Sequence, residues 1–253
     1  MTLFDTGVRP AIDEYLKKKG EEKRDYGKYW SASSAGYCKR KVIFDRLGVP
    51  PVTEDARKTR VFEVGHIFHG WIQDITKNAG LSIASEVELQ DEDLMVRGHF
   101  DDLIEFTFGD EKEQTHKILY DYKTAHSRSF TYQKDRPMSH YHRLQLGTYL
   151  YMLRNKYPEL EEARILTISK DDLRMAEKQL MWSTELEEDV KDYWGTLNHL
   201  WETSVIPPCT CADNEGGFMA KELYNPYFYK GEPCSLAWKE KHDSVQAPAD
   251  ATV

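Results

Sequence analysis

The sequence predicts a mixed α/β fold, with a central sheet flanked by helices and helical additions at both ends. Two observations indicate this class. Stretches with an apolar residue at every third or fourth position, typical of helices, alternate with shorter stretches in which apolar and polar residues alternate, typical of strands. The chain has 253 residues, of which 40% are hydrophobic, so it can form a sizeable core and is not an extended disordered chain.

Three helices are predicted before the first strand, over residues 9–24, 33–47 and 59–78. An apolar stripe runs along the first and the third of them. Ser33 or Ser34 is the expected N-cap of the second helix. Gly48 and Gly80 are the expected stops of the second and third, and the glycine and proline content of residues 48–51 predicts a linker.

Five strands are predicted from the alternation of apolar and polar residues, over 81–89, 94–106, 118–124, 163–169 and 175–182. A polar loop at 109–114 separates the second strand from the third. A helix over 139–156, which ends before Pro158, follows the third strand. A last helix over 185–201 follows the fifth. Helices that alternate with strands in this way are typical of a mixed α/β domain.

The predicted elements divide the chain into an N-terminal helical region (1–56), a core (57–202), a cysteine-bearing segment (203–242) and a disordered tail (243–253). The longest apolar runs are too short to span a bilayer, and the N-terminus lacks the apolar region of a signal peptide. We therefore expect a soluble, cytoplasmic protein that does not bind a membrane.

The charge of the chain limits how it could bind nucleic acid. With 34 basic and 43 acidic side chains the formal charge is −9, which argues against coating nucleic acid through bulk charge. Residues 9–46 include 11 basic and 6 acidic side chains, a local net charge of +5, whereas residues 159–202 include 5 and 12, a net of −7. The first region is a candidate DNA-binding surface, with solvated helix faces as the alternative explanation of both.

Asp121 and Lys123 are the first candidates for a catalytic site. They are two positions apart on a predicted strand, so both side chains point to the same face. Neighbouring carboxylate and ammonium groups are costly in a core. In a site, the carboxylate can bind Mg²⁺ or Mn²⁺, and the lysine can orient a water and stabilise negative charge on a phosphate. An ordinary ion pair on an exposed strand is the alternative.

Further candidates come from the neighbouring elements. Asp101, on the adjacent predicted strand, supplies a second carboxylate for the same metal ion. His66 or His69, on the helix before the sheet, can complete the metal shell, or is a surface or core histidine. Gln145 and Tyr149, at positions i and i+4 of one helix face, can hydrogen-bond a phosphate, or belong to an ordinary amphipathic helix.

Taken together and in this order, these residues resemble the RecB-like branch of the PD-(D/E)XK nuclease superfamily. The four motifs of that family are matched by Gly65-x-x-x-His69, Gly98-x-x-Asp101, Asp121-x-Lys123 and Gln145-x-x-x-Tyr149. The resemblance implies a PD-(D/E)XK restriction-endonuclease-like core. It also implies roles for single residues: metal binding by His69, Asp101, Asp121 and the backbone carbonyl of Tyr122, catalysis by Lys123 with both aspartates, and DNA binding by Gln145 and Tyr149.

The four cysteines extend the resemblance. Cys38 precedes the predicted core, and Cys209, Cys211 and Cys234 follow it. CRISPR-associated and phage exonucleases of this branch distribute four cysteines in the same way and use them to hold a 4Fe–4S iron–sulfur cluster, so the resemblance implies such a cluster joining the two ends of this chain. Because 22 residues separate Cys211 from Cys234, zinc on four thiolates is an alternative, and unligated thiols are another.

These features predict a metal-dependent DNA exonuclease, a hydrolase that prefers single-stranded ends. The resemblance implies a role in recombination, repair or phage or CRISPR DNA processing, in a bacterial or phage-infected cell. No P-loop is present, so no ATP-driven motor is expected, and a separate helicase or recombination protein is a possible partner. The alternatives are a non-catalytic DNA-binding scaffold subunit and a structure-specific endonuclease.

Overall fold

The computed structural model describes residues 8–21, 27–48, 56–108 and 114–207. The helices in these ranges are α1 (Val8–Glu21), α2 (Lys39–Arg46), α3 (Ala56–Asn78), α4 (Ser127–Gln133), α5 (His140–Arg154) and α6 (Thr184–Glu202). The strands are β1 (Trp30–Ser31), β2 (Ser82–Ser85), β3 (Glu88–Asp91), β4 (Val96–His99), β5 (Asp102–Phe108), β6 (Gln114–Ala125), β7 (Glu162–Ser169) and β8 (Met175–Met181). None of the helices in the described ranges combines the length and apolarity that a membrane crossing needs.

The strands form two mixed sheets flanked by helices, which confirms the mixed α/β class. The larger sheet has five strands in the order β2-β5-β6-β7-β8, antiparallel except for the parallel pair of β6 and β7. The smaller sheet has three strands in the order β1-β4-β3, in which β1 is parallel and β3 antiparallel to β4. In the larger sheet the parallel pair of β6 and β7 requires a crossover connection, and α4 and α5 provide it.

Two predicted strands are each interrupted, so the prediction of one central sheet is wrong in this part. The strand expected over 81–89 becomes β2 and β3, and the strand expected over 94–106 becomes β4 and β5, with the two halves of each in different sheets. At the first break Glu86 has a φ angle of 52°. Its N–H donates to the carbonyl oxygens of Phe100 (3.1 Å) and Asp101 (3.3 Å) at the second break. The two breaks are therefore hydrogen-bonded to each other.

Two helices also differ from the prediction. The second helix begins at Lys39 rather than after Ser33 or Ser34, because a 3-10 turn over 32–34 is followed by Gly36 with a φ angle of 75°, and a left-handed residue interrupts a helix. The helix α4 has no predicted counterpart, since its seven residues carry no apolar stripe. The other predicted helices and strands are confirmed within the described residues, with ends that differ by a few residues.

Helices α3 and α5 cover opposite faces of the larger sheet. Ile72 of α3 packs with Tyr120 and Tyr122 of β6, whereas Leu150 of α5 shares a core with Leu119 of the same strand. Because successive residues of a strand point to opposite faces, this division follows from the alternation along β6. The α5 face is the larger core, and it also includes buried residues of the smaller sheet and of α6.

The N-terminal segment is joined to α6 and α5 by specific contacts. The indole Nε1 of Trp30 donates to the side-chain oxygen of Asn198 on α6 (2.6 Å), 168 positions along the chain. Gly36 lies against the start of α5, where a Cβ atom would overlap the Cα of Tyr141 and come within 2.9 Å of its Cβ. These contacts place the residues before α2 beside the helices that cover the larger sheet.

We expect Gly36→Ala to destabilise the fold more than Gly48→Ala does. Both glycines have positive φ angles, 75° and 68°, so both substitutions carry the left-handed backbone cost of about 1–2 kcal/mol. A Cβ at Gly48 meets nothing within 4 Å, whereas one at Gly36 clashes with backbone, which adds about 1–3 kcal/mol. Urea unfolding of both variants measures the difference, and equal losses would contradict the close approach of Tyr141.

Candidate active site

The pairing of β5 with β6 brings Asp101 and Asp121 to the same end of the larger sheet. In the antiparallel register Asp102 lies opposite Tyr120, so Asp101, which immediately precedes β5, lies beside the position of Asp121. The backbone N–H of Tyr122 donates to Oδ2 of Asp101 (2.6 Å). The break between β4 and β5 thus leaves the Asp101 side chain bound to the backbone between Asp121 and Lys123.

Asp121 and Lys123 form a largely buried ion pair on the α5 side of β6. The Lys123 Nζ lies 2.9 Å from Oδ1 and 2.8 Å from Oδ2 of Asp121, with hydrogen-bond geometry to Oδ1. Gln145 of α5 donates its amide Nε2 to the same Oδ1 (3.2 Å). Within the described residues Oδ2 accepts no hydrogen bond although it is buried, so this oxygen retains lone pairs for a further ligand. The predicted common face of Asp121 and Lys123 is confirmed.

The electrostatics of the site follow from burying opposite charges together. Burial raises the pKa of Asp121 to about 6, against the opposing effect of the Lys123 ammonium. Burial also disfavours the charged forms of Asp101 and Lys123, but here the neighbouring charges outweigh it. His69 and Lys123 lower the pKa of Asp101, and the two aspartates raise the pKa of Lys123. Each charge in the site therefore depends on the others.

Helix α3 brings His69, and not His66, to these carboxylates. The His69 Nδ1 lies 3.6 Å from Oδ2 of Asp101, and its side chain is 23% exposed. His66 is 72% exposed and lies near Glu63 instead. Burial lowers and Asp101 raises the pKa of His69, with a net increase. Gly65 of the same helix faces β6, since a Cβ there would lie 3.4 Å from the Thr124 hydroxyl, an ordinary van der Waals contact.

Two buried residues that were not predicted from the sequence, Gln73 and Asp102, lie next to Asp101 and support its position. Gln73, one turn after His69 on α3, donates its amide to the backbone carbonyl of Asp101 (2.9 Å) and to the carboxylate of Glu86 (3.0 Å). Asp102 is fully buried and accepts hydrogen bonds from the hydroxyls of Thr76, Ser82 and Tyr122. The i, i+4 spacing places His69 and Gln73 on one face of the helix, and this was the sequence signal that could have identified Gln73.

Gln145 and Tyr149 are both buried within the site's surroundings. Gln145 contacts Asp121 as described, so it orients a carboxylate in this arrangement. The Tyr149 ring belongs to the larger core, and a Cβ added at Gly98 would lie 3.0 Å from its hydroxyl oxygen. Contact of either side chain with a DNA strand remains a prediction.

The donors of the site fit a hard divalent cation by their chemistry. Two carboxylates, an imidazole and a backbone carbonyl are ligands that Mg²⁺ and Mn²⁺ accept, and Oδ2 of Asp121 has no hydrogen-bond partner in the described part of the chain. The carboxylates are now paired with Lys123 and His69. In this arrangement, no group of three or more His, Cys, Asp or Glu side chains among the described residues is spaced to hold a metal ion.

Cys38 lies at the N-cap of α2, and the three other cysteines, Cys209, Cys211 and Cys234, lie outside the described residues. Near the end of the described chain, the guanidinium Nη1 of Arg40 donates to the carbonyl oxygen of Pro207 (2.9 Å). The other two basic residues of this segment are also engaged within the protein: Lys41 with Asp45 (2.6 Å), and Lys39 with the ring of Tyr193 (5.5 Å).

No protein-family model and no curated protein sequence matches this chain. Solved structures that are similar to it include the following two. The crystal structure of SSO0001 is 19% identical with a TM-score of 0.50, and the match covers 81% of this chain and 98% of that one. The crystal structure of LHK-Exo in complex with dAMP is 14% identical with a TM-score of 0.44, covering 68% and 88%. The similarity to SSO0001 concerns the fold alone.

Proposed function

We propose that this chain is a divalent-metal-dependent deoxyribonuclease of the RecB-like PD-(D/E)XK type, an exonuclease that prefers single-stranded ends. The observation that carries the proposal is the largely buried group of Asp101, Asp121 and Lys123, with His69 beside it, where β5 and β6 pair. Burying two carboxylates and a lysine together costs desolvation free energy that a well-packed apolar cluster would not, so a function explains this group better than folding does. Carboxylates that can bind a divalent cation, beside a lysine that can stabilise negative charge, support metal-assisted hydrolysis of a phosphodiester.

In the proposed mechanism His69, Asp101, Asp121 and the Tyr122 carbonyl hold Mg²⁺ or Mn²⁺. The ion, when bound, lowers the pKa of a water and polarises the scissile phosphate. Lys123 orients the attacking water and stabilises the negative charge that develops on the phosphate oxygens. Gln145 fixes the orientation of Asp121, and Gln73, through the backbone of Asp101, positions the other carboxylate.

Lys123→Met should reduce DNA cleavage by about 100-fold or more, since it removes the group that stabilises the developing charge. Lys117→Met is the matched control, because Lys117 lies on the same strand and pairs with Glu105 (3.3 Å) and Glu159 (2.9 Å). The assay is cleavage of end-labelled linear single strands in Mn²⁺ and in excess EDTA.

A circular single strand in the same assay separates an exonuclease, which needs an end, from an endonuclease. Full activity of a folded Lys123→Met protein, or cleavage in EDTA, contradicts the proposed chemistry. A folded wild-type protein that binds DNA without cutting it supports the alternative function, a non-catalytic DNA-binding scaffold subunit.

His69→Ala should weaken Mn²⁺ binding by about 10-fold or more, an effect of the size seen when a group that supports a metal site is lost. His66→Ala should leave it unchanged, because His66 is exposed and faces Glu63. Titration calorimetry with Mn²⁺ alone, without DNA, measures both variants. If His66→Ala had the larger effect, the assignment of the metal ligands would be wrong.

We further propose that Cys38, Cys209, Cys211 and Cys234 hold a structural 4Fe–4S cluster, with zinc as the alternative metal. The hydrogen bond from Arg40 to the Pro207 carbonyl (2.9 Å) supports this proposal. Cys38 is two positions before Arg40, and Cys209 two positions after Pro207. The hydrogen bond therefore brings Pro207, the last described residue, to the helix α2 that begins directly after Cys38.

Protein purified without oxygen should then be brown and contain about four irons per chain. The Cys38→Ser variant should lose the colour and have a lower thermal stability, because metal binding and folding are coupled. Elemental analysis and a melting curve test this. Colourless protein with one zinc per chain would show that the four cysteines hold zinc and not a cluster. The absence of both metals would refute the metal site.

A further inference from the structure

The segment between β6 and α5 carries a net positive charge in an acidic protein. Residues 126–139 contain three lysines and arginines and one acidic residue, Asp135, whereas the whole chain has a formal charge of −9. The segment includes α4, which connects β6 toward α5. Asp135 itself is paired with Lys134 (2.6 Å). The net positive charge is therefore local to this part of the fold.

Register places α4 on the same face of the sheet as Asp121. Asp121 lies opposite Ile165 of β7, and Ile165 lies opposite Lys178 of β8. Residues in register on neighbouring strands share a face, and two strand spacings amount to about 10 Å. The ammonium of Lys178 donates to the carbonyl of Gln133, the last residue of α4 (2.7 Å). The end of α4 therefore lies over the outer strands, on the face of the sheet that carries Asp121.

An aromatic ring stacked with a guanidinium is exposed at this end of α4. The guanidinium carbon of Arg136 lies 3.5 Å from the centre of the Tyr132 ring, and Tyr132 is 60% exposed. Neither Arg128 nor Arg136 forms an ion pair with any residue that the structure describes. Exposed rings beside unpaired cations favour unpaired bases on a phosphate backbone, because every base has a stacking face and every nucleotide a negative charge.

We propose that the α4 surface, defined as Arg128, Tyr132, Lys134, Arg136 and Lys178, binds the single-stranded part of the DNA on its way to the active site. This inference rests on the proposed nuclease function and adds to it the surface that selects single strands. The arginines contact backbone phosphates, and Tyr132, held by Arg136, stacks on a base. Duplex DNA offers the same phosphates but no unstacked base, so the tyrosine distinguishes the two substrates.

The test is the binding of a fluorescent single-stranded oligonucleotide and of a blunt duplex of the same sequence, followed by anisotropy in EDTA, where no metal-dependent cleavage occurs. Arg128→Gln with Arg136→Gln should weaken single-strand binding roughly 10-fold or more and reduce the salt dependence by about 1.4 in log–log slope, for two lost phosphate contacts. Tyr132→Ala should weaken it by about 5-fold or more, with little effect on the duplex. Tyr132→Phe, which keeps the stacking face, should retain affinity.

Matched controls lie away from both basic regions. Phe108, the last residue of β5, is 53% exposed, close to the 60% of Tyr132, and Lys77 of α3 and Lys156, just after α5, are exposed cations. Phe108→Ala and the pair Lys77→Gln with Lys156→Gln should leave binding unchanged. If these control variants weakened binding as much as the α4 variants, or if Tyr132→Ala acted equally on duplex and single strand, the inference would be overturned.

The proposed α4 surface and the proposed nuclease function can be refuted independently of each other. Loss of binding in the α4 variants of a protein that never cleaves DNA in Mn²⁺ upholds the α4 surface and refutes the nuclease. Cleavage by wild-type protein, together with unchanged binding in folded α4 variants, upholds the nuclease and refutes the surface. Melting curves of all variants establish that they are folded, since the substituted side chains are on an exposed surface.

Discussion

The largely buried charges of Asp101, Asp121 and Lys123 constrain the rest of the structure. Ionised groups can remain in a protein interior only when partners surround them. Asp101 therefore needs the backbone N–H of Tyr122, and Asp121 needs the amide of Gln145. The first comes from the strand itself and the second from a helix that starts 15 residues after Ala125, the last residue of that strand. The placement of α5 over β6 is therefore an electrostatic requirement as well as a result of apolar packing.

The double break in the strands is what opens the site. Unbroken strands over 81–89 and 94–106 would place Asp101 within a ladder, with its side chain fixed across the sheet. The chain instead passes between the two sheets at Glu86 and again at Asp101, and the hydrogen bond between the breaks holds them in one place. Gln73 spans the same point, because its amide contacts Glu86 and the Asp101 carbonyl together. The Asp101 carboxylate therefore lies outside the regular pairing of the strands but is held in a fixed position.

The sequence predicted the residues of the candidate site better than the architecture around them. Period-2 alternation located Asp121 and Lys123 on one face, and the G-x-x-x-H spacing distinguished His69 from His66, because both signals are local. The division into two sheets was not predictable, since alternation continues across Glu86 and gives no sign of a left-handed residue there. Asp102 and Gln73 were missed for a related reason: their importance lies in contacts with residues far along the chain. The short helix α4 has no apolar periodicity and is defined by its packing on β7 and β8.

The hydrogen bond between Trp30 and Asn198 has a consequence for how the protein is made. The two residues are 168 positions apart, and a ribosome adds about 5–20 residues per second. The largely apolar indole near the N-terminus therefore emerges roughly 10–30 seconds before its partner helix exists. During that interval the segment before α2 has no α6 to cover it and is available to chaperones. The larger core can be completed only after the acidic α6 has left the ribosome, so termination before α6 would leave the apolar surface of that core uncovered.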